Sequence, residues 1–231
     1  MHSWPTTLQW RELKAFIFRN FLVGKYNVVP PLIKKTTNHR HTFSNEIEAM
    51  KMDIKQHNTL KDTVVAIPEI LQKSLGSIHY PTDSSKLIQA LNNNQLIGAS
   101  DGSLVTEGRC TWGSHAYSIR TWDNDDAKLT GMATTPSTTK MSSLTTEIYG
   151  LLSATTVLYC ITKHHQQEIQ KNKCITIYCD NEQAVKMCND TNHPINITET
   201  NVPEYDIKRL IQTIVQIIPA TVHFQCPFSM D

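Results

Sequence analysis

Residues 94–105 read NQLIGASDGSLV. Leu96 to Ala99 are apolar, as a strand that buries its side chains requires. The run then passes through Ser100 straight into Asp101, and a Gly-Ser pair follows. Asp-Gly is a turn pair, so the plain reading is a strand ending in a turn. A functional carboxylate at a strand end is the other reading, and it needs partners elsewhere in the chain.

Downstream of this stretch the pattern is regular. Residues 108–120, GRCTWGSHAYSIR, alternate around Trp112, His115, Tyr117 and Ile119 as a second strand, and LTGMATT at 129–135 is a third. Short polar links between them predict an antiparallel meander. SSLTTEIYGLLSATTVLYCITKHH follows, with Leu144, Ile148, Leu151, Leu152, Thr155, Leu158 and Ile161 at three- and four-residue steps. That is the buried stripe of a long helix, with Ser142 or Ser143 as its cap and Glu147 in its first turn. CITIYCD at 174–180 is a fourth strand ending in Asp180, NEQAVKMC a short helix, PEYDIKRLIQTIVQII at 203–218 a second long helix, and ATVHFQ at 220–225 a fifth strand. The order βββ-α-β-α-α-β predicts an α/β fold: a mixed five-stranded sheet flanked by helices.

Three acids now stand at matched places: Asp101 and Asp180 at the ends of strands expected to be central neighbours, and Glu147 at a helix start. Singly, each reads as a cap or turn former. Together they predict a shared site. Carboxylates brought close repel, and a divalent cation relieves the repulsion. Hard oxygen donors suit Mg²⁺ or Mn²⁺, and two such ions activate water for phosphodiester cleavage.

The set ASDGS, SSLTTEIYGLLSA and IYCDNEQAV resembles the ribonuclease H domain of a retroelement reverse transcriptase, over about residues 95–225; EYDIKRL is similar to the acidic start of the last long helix in reverse-transcriptase-linked members. The resemblance implies a ribonuclease H-like fold, in which three antiparallel strands are followed by parallel ones. It also implies two Mg²⁺ (or Mn²⁺) ions and cleavage of the RNA strand of RNA–DNA hybrids. Asp101 would bridge both ions, with Glu147 and Asp180 as flanking ligands and Glu147 near the 2′-hydroxyl that marks RNA. Ser103, Ser142, Ser143 and Asn181, polar neighbours of the acids, become candidates for nucleic-acid contact. An upstream reverse transcriptase module is the implied partner. An integrase or other nuclease of the same fold fits the three motifs less well.

Two departures qualify that expectation. Thr145 stands where related sequences often carry Arg. After TVHFQ the sequence has only CPFSMD, with no Gly-His pair and no final helix, and Asp231 is the one candidate for a fourth ligand. His223 lies within a strand and reads as structural. The expectation is therefore a C-terminally truncated domain with impaired cleavage, since acid–base assistance is worth about 10²–10⁴ in rate. The alternative is a non-catalytic, nucleic-acid-binding remnant of a retroelement.

The N-terminal 94 residues carry no recognisable chemistry and read as a basic helical or irregular extension, with the domain at 95–231. Helices are expected at 8–22, 45–60 and 67–75. Residues 1–45 hold seven Lys/Arg and one acid, a charge of +6, which leaves −5 for the rest of a chain whose net charge is +1. Such asymmetry fits an arm that contacts nucleic acid. No run approaches the roughly 20 apolar residues of a membrane span, and no secretory signal is visible. The six cysteines lack C-x-x-C spacing and read as reduced, which argues for an intracellular protein, cytoplasmic or nuclear. The N-x-T triplets at Asn189 and Asn196 then count for little. Of Trp112, Tyr117, Trp122 and Tyr149, available in principle to stack on bases, most are expected to fill the sheet–helix interface. His164 and His165 sit at a helix C-terminus and complement its dipole.

Overall fold

A computed structural model describes residues 57–107, 110–121, 127–136, 141–190 and 204–227. The basic arm, Trp122, Asn196 and Asp231 lie outside the described residues. Twelve elements are described: α1 (Leu60–Val65), α2 (Glu69–Leu75), β1 (Ser77–His79), α3 (Ser85–Asn92), β2 (Leu96–Glu107), β3 (Cys110–Thr121), β4 (Lys128–Thr135), α4 (Ser143–His164), β5 (Cys174–Cys179), α5 (Glu182–Asn189), α6 (Tyr205–Ile217) and β6 (Thr221–Gln225).

The strands form one mixed sheet in the order β1-β4-β3-β2-β5-β6. β2, β3 and β4 make the antiparallel meander, while β5 runs parallel to β2 and β6 parallel to β5. This is the ribonuclease H-like arrangement expected from the motifs, with one addition. Ser77–His79 pairs antiparallel with β4 and makes the sheet six-stranded. Three residues between a helix ending in Gly76 and the Tyr80-Pro81 pair are too few to show a period of two, so the strand is silent in sequence.

Residues 60–92 also belong to the main core. Leu60, Leu71, Leu75, Leu87 and Leu91 are buried in the same hydrophobic cluster as Ile119, Leu151, Ile177 and Ile211. Helix α1 starts at Leu60, where Thr59 accepts a hydrogen bond from the Asp62 N–H. A helix ending near residue 60 was the expectation.

Helix α4 differs from the one-sided stripe its spacing predicts. Every residue from Thr145 to Thr162 is buried. The sheet covers one side of the helix, and α1, α2 and α6 cover the others. Its composition and length would suffice to cross a membrane, yet 94% of its most apolar window is buried inside the protein. A helix enclosed on all sides is apolar all round for the same physical reason as a membrane span.

Most polar groups carried into this core are paired, the Ser100 and Thr156 hydroxyls excepted. His115 is buried at 3% exposure. Its Nε2 lies 2.9 Å from the Ser74 carbonyl and its Nδ1 lies 3.0 Å from Thr135 Oγ1. The carbonyl can only accept, so Nε2 carries the proton and Nδ1 accepts from the threonine. Burial pushes this imidazole down to about 4. The folded protein therefore resists a proton that the unfolded chain takes up near 6.5. The stability from a neutral His115 is present above pH 6.5 and is lost as pH falls through about 4. In urea titrations, the wild-type advantage over His115→Asn should shrink across that window. Comparing the two proteins cancels the other titrating groups.

Tyr117 donates to the Leu75 carbonyl at 3.0 Å, and Tyr149 stacks on His115. Both are core residues. Trp112 is half-buried on β3. No disulfide links the described cysteines. The Asn189 side chain donates to the Phe224 carbonyl and so ties α5 to β6. His164 is the last residue of α4, and His165, its cap, pairs with Glu168 at 2.8 Å. His223 lies in β6 with its side chain exposed.

Candidate metal centre

Backbone register sets the first two acids side by side. β2 and β5 are parallel neighbours, with Ser100 opposite Cys179. The next residues on the two strands are Asp101 and Asp180. Adjacent strands run about 4.8 Å apart, so these carboxylates are brought side by side where β5 ends. β2 itself runs on to Glu107, so Asp101 lies in mid-strand and Asp101-Gly102 is not the strand-ending turn the sequence suggests.

The third acid arrives on α4. Ser142 caps that helix by accepting from the Thr145 N–H at 3.1 Å, and Thr145 Oγ1 accepts in return from the Ser142 N–H. Helix numbering then starts at Ser143, which makes Glu147 the fifth helical residue, at the opening of the second turn rather than in the first. From there Glu147 Oε2 accepts the Gly102 N–H at 2.9 Å. Gly102 is what permits so close an approach. A Cβ there would lie 2.5 Å from the Glu147 backbone nitrogen and 2.6 Å from the Thr146 carbonyl carbon.

Glu147 is 6% exposed. Its pKa is pushed up to about 8, first by burial, then by the charge of Asp180, then by that of Asp101. Both of the other sequence-predicted acids therefore act on Glu147. Ligand atoms of Glu147, Asp180 and Cys179 lie within 4.8 Å of one another. Asp101 stands outside this tightest trio but within electrostatic reach. A buried carboxyl held neutral by two like charges gains most from a cation, because a positive ion reverses both unfavourable effects. Hard oxygen donors from three segments fit Mg²⁺ or Mn²⁺.

Cys179, which the sequence shows only as one of six reduced cysteines, also joins the site. Its Sγ–H donates to Glu147 Oε2 at 3.5 Å. Burial, and after it the charge of Glu147, push the thiol up, so it is a protonated donor. The signal was in plain view, since Cys179 immediately precedes Asp180.

Glu204 is the second residue passed over. It is buried, and it accepts from Thr145 Oγ1 at 2.6 Å and from Ser142 Oγ at 3.3 Å. A carboxylate at the start of α6 thus also serves the N-terminus of α4, where negative charge is favoured. It binds Thr145, the residue that follows Leu144 in the first turn of α4. Glu204→Ala would leave the fully buried Thr145 hydroxyl without its acceptor, at a cost of about 1–3 kcal/mol, read as a lowered urea midpoint.

The other polar candidates divide. Ser142 is committed to the α4 cap, and Asn181 caps α5 by accepting from the Ala184 N–H at 3.0 Å. Ser143 is exposed at the helix start, and Ser103 is half-exposed just past Gly102.

No protein-family model and no curated protein sequence matches the chain. Among solved structures it is similar to the N-terminal RNase H domain of a Mycobacterium tuberculosis protein, solved as a fusion with maltose-binding protein. Identity there is 10% and the TM-score 0.36, over 56% of this chain and 79% of that one. It is also similar to LC11-RNase H1, solved in complex with an RNA/DNA hybrid. In that case identity is 11% and the TM-score 0.38, over 56% of this chain and 83% of the other.

Proposed function

We propose that the chain is a metal-dependent endonuclease that cuts the RNA strand of RNA–DNA hybrids, as the motifs resembling retroelement ribonuclease H imply. One observation carries this reading. Glu147 is a carboxyl whose proton affinity is raised by burial and then by Asp180 and Asp101, where β5 ends beside the middle of β2. Asp101, Glu147 and Asp180 would hold Mg²⁺ or Mn²⁺, which when bound supplies charge neutralisation and an activated water for phosphodiester hydrolysis.

The protein's own part is placement. Gly102 and the Ser142 cap fix Glu147 against β2. The parallel register fixes Asp101 beside Asp180. Exposed Ser143 and half-exposed Ser103 flank the acids and offer hydroxyls to the phosphate–sugar backbone. RNA is told from DNA through its 2′-hydroxyl, and the family resemblance implies that Glu147 lies near that group.

The test is cleavage of an end-labelled RNA strand in a hybrid duplex by the full chain, with MgCl₂ or MnCl₂. Metal-dependent RNA fragments are expected from the wild-type protein, and Asp180→Asn should fall to the level of the enzyme-free control. Hybrid binding without cleavage under either metal would overturn the nuclease reading and leave a binding domain of the same fold.

A further inference from the structure

The donor set at the strand ends is not purely oxygen. Glu147 on α4, and Cys179 and Asp180 at the end of β5, offer two carboxylates and one sulfur within 4.8 Å of one another. The Cys179 Sγ–Glu147 Oε2 separation is 3.5 Å. A tetrahedral ion with a sulfur bond of about 2.3 Å and an oxygen bond of about 2.1 Å sets those two ligands about 3.6 Å apart. The separation already present is that of two ligands on one small thiophilic cation.

A neighbouring residue on β2, facing α4, is also short of a partner. Ser100 pairs in register with Cys179, and its Cβ is near Gly150, one turn along α4 from Glu147. Ser100 is 2% exposed, and its Oγ has no hydrogen-bond partner. Buried hydroxyls are ordinarily paired. An orphan beside the trio marks a place where a polar occupant, a cation or its bound water, completes the structure.

We propose that Glu147, Cys179 and Asp180 form a mixed oxygen–sulfur seat for a thiophilic divalent cation of the Zn²⁺ or Cd²⁺ type. Sulfur ligands select such ions over Mg²⁺, so this occupant displaces the hard ions from the shared acids and silences the centre. Binding replaces the S–H bond with a metal–sulfur bond and releases the proton to solvent; no electron is transferred. The seat shares its acids with the proposed nuclease site but does not depend on cleavage.

The experiment titrates the full chain, reduced with a phosphine, with CdCl₂ in excess MgCl₂. It reads the ultraviolet sulfur-to-cadmium charge-transfer band. A saturable one-equivalent band is expected, absent in Cys179→Ser and retained in Cys174→Ser, whose cysteine is exposed on the first residue of β5. Glu147→Gln and Asp180→Asn keep the thiol and should weaken binding by about tenfold or more, the least that loss of even an outer partner costs. If Cys179→Ser does not fold, these two variants decide the matter. No band in the wild-type protein, an undiminished band in Cys179→Ser, or undiminished affinity in both carboxylate variants would overturn the seat. Hybrid cleavage with Mg²⁺ is read separately, so failure of the seat and failure of the nuclease reading are distinct results.

Discussion

Glu147→Gln should make the metal-free protein more stable at pH 8.5 while abolishing metal-dependent hybrid cleavage. The folded carboxyl titrates near 8, against 4.5 for the ordinary group. Because the folded value is raised, the native protein holds a proton that the unfolded chain releases. The associated stability is fully present below about 4.5 and is lost as pH rises through about 8. Glutamine has the same shape and never ionises. Its amide oxygen can still accept the Gly102 N–H, and its NH₂ can donate towards Asp180. The variant and the wild-type protein should therefore match near pH 4.5 and diverge with rising pH. A difference of a few kcal/mol is expected above pH 8, at about 1.4 kcal/mol per unit of pKa.

Urea unfolding in a chelator, at a series of pH values, measures this directly. His115 and the other titrating groups are common to both proteins and cancel. Adding Mg²⁺ should return most of the lost stability to the wild-type protein and little to the variant, since a ligand that binds only the native state stabilises it. Equal stabilities at pH 8.5 in chelator would show that the three acids do not gather in solution.

Gly102→Ala is the second large effect. The added methyl carbon would meet the backbone of Thr146 and Glu147, not the yielding tip of a side chain. Strand and helix must therefore separate. Overpacking of this kind costs about 1–3 kcal/mol. The consequence for chemistry is larger, because the contact displaced is the one that sets Glu147 against β2 beside the end of β5. A misplacement near 1 Å costs about 10²-fold in rate. The Gly102 N–H is retained in alanine, so the loss isolates position from hydrogen bonding. A variant with wild-type urea midpoint and wild-type cleavage would mean that the close approach of β2 to α4 is not what positions the acid.

Much of the architecture was legible because it is written in short-range pattern. Alternation around Trp112, His115, Tyr117 and Ile119 marks β3, and the three- and four-residue recurrence from Leu144 to Ile161 marks α4. Asp101 and Asp180 each close an apolar run, which is why they were readable as partners before any coordinates. That β2 runs on past Asp101 to Glu107 was not, because Asp-Gly is also a turn pair. Asp231, by contrast, lies outside the described residues. β1 was not legible, since three residues carry no period. Nor was the enclosure of α4, because a spacing pattern records which residues are apolar and not how many neighbours surround them.

The linear chain by itself determined the order of the strands and helices and singled out the three acids, because hydrophobic periodicity and turn chemistry act over a few residues. Only the tertiary structure decided that β5 lies parallel to β2 with Ser100 opposite Cys179, that Gly102 lets α4 touch the strand, and that Cys179 and Glu204 join the site. Those outcomes depend on contacts between residues 32 to 79 positions apart in the chain, and no local pattern encodes the chemistry of a neighbour that only folding supplies.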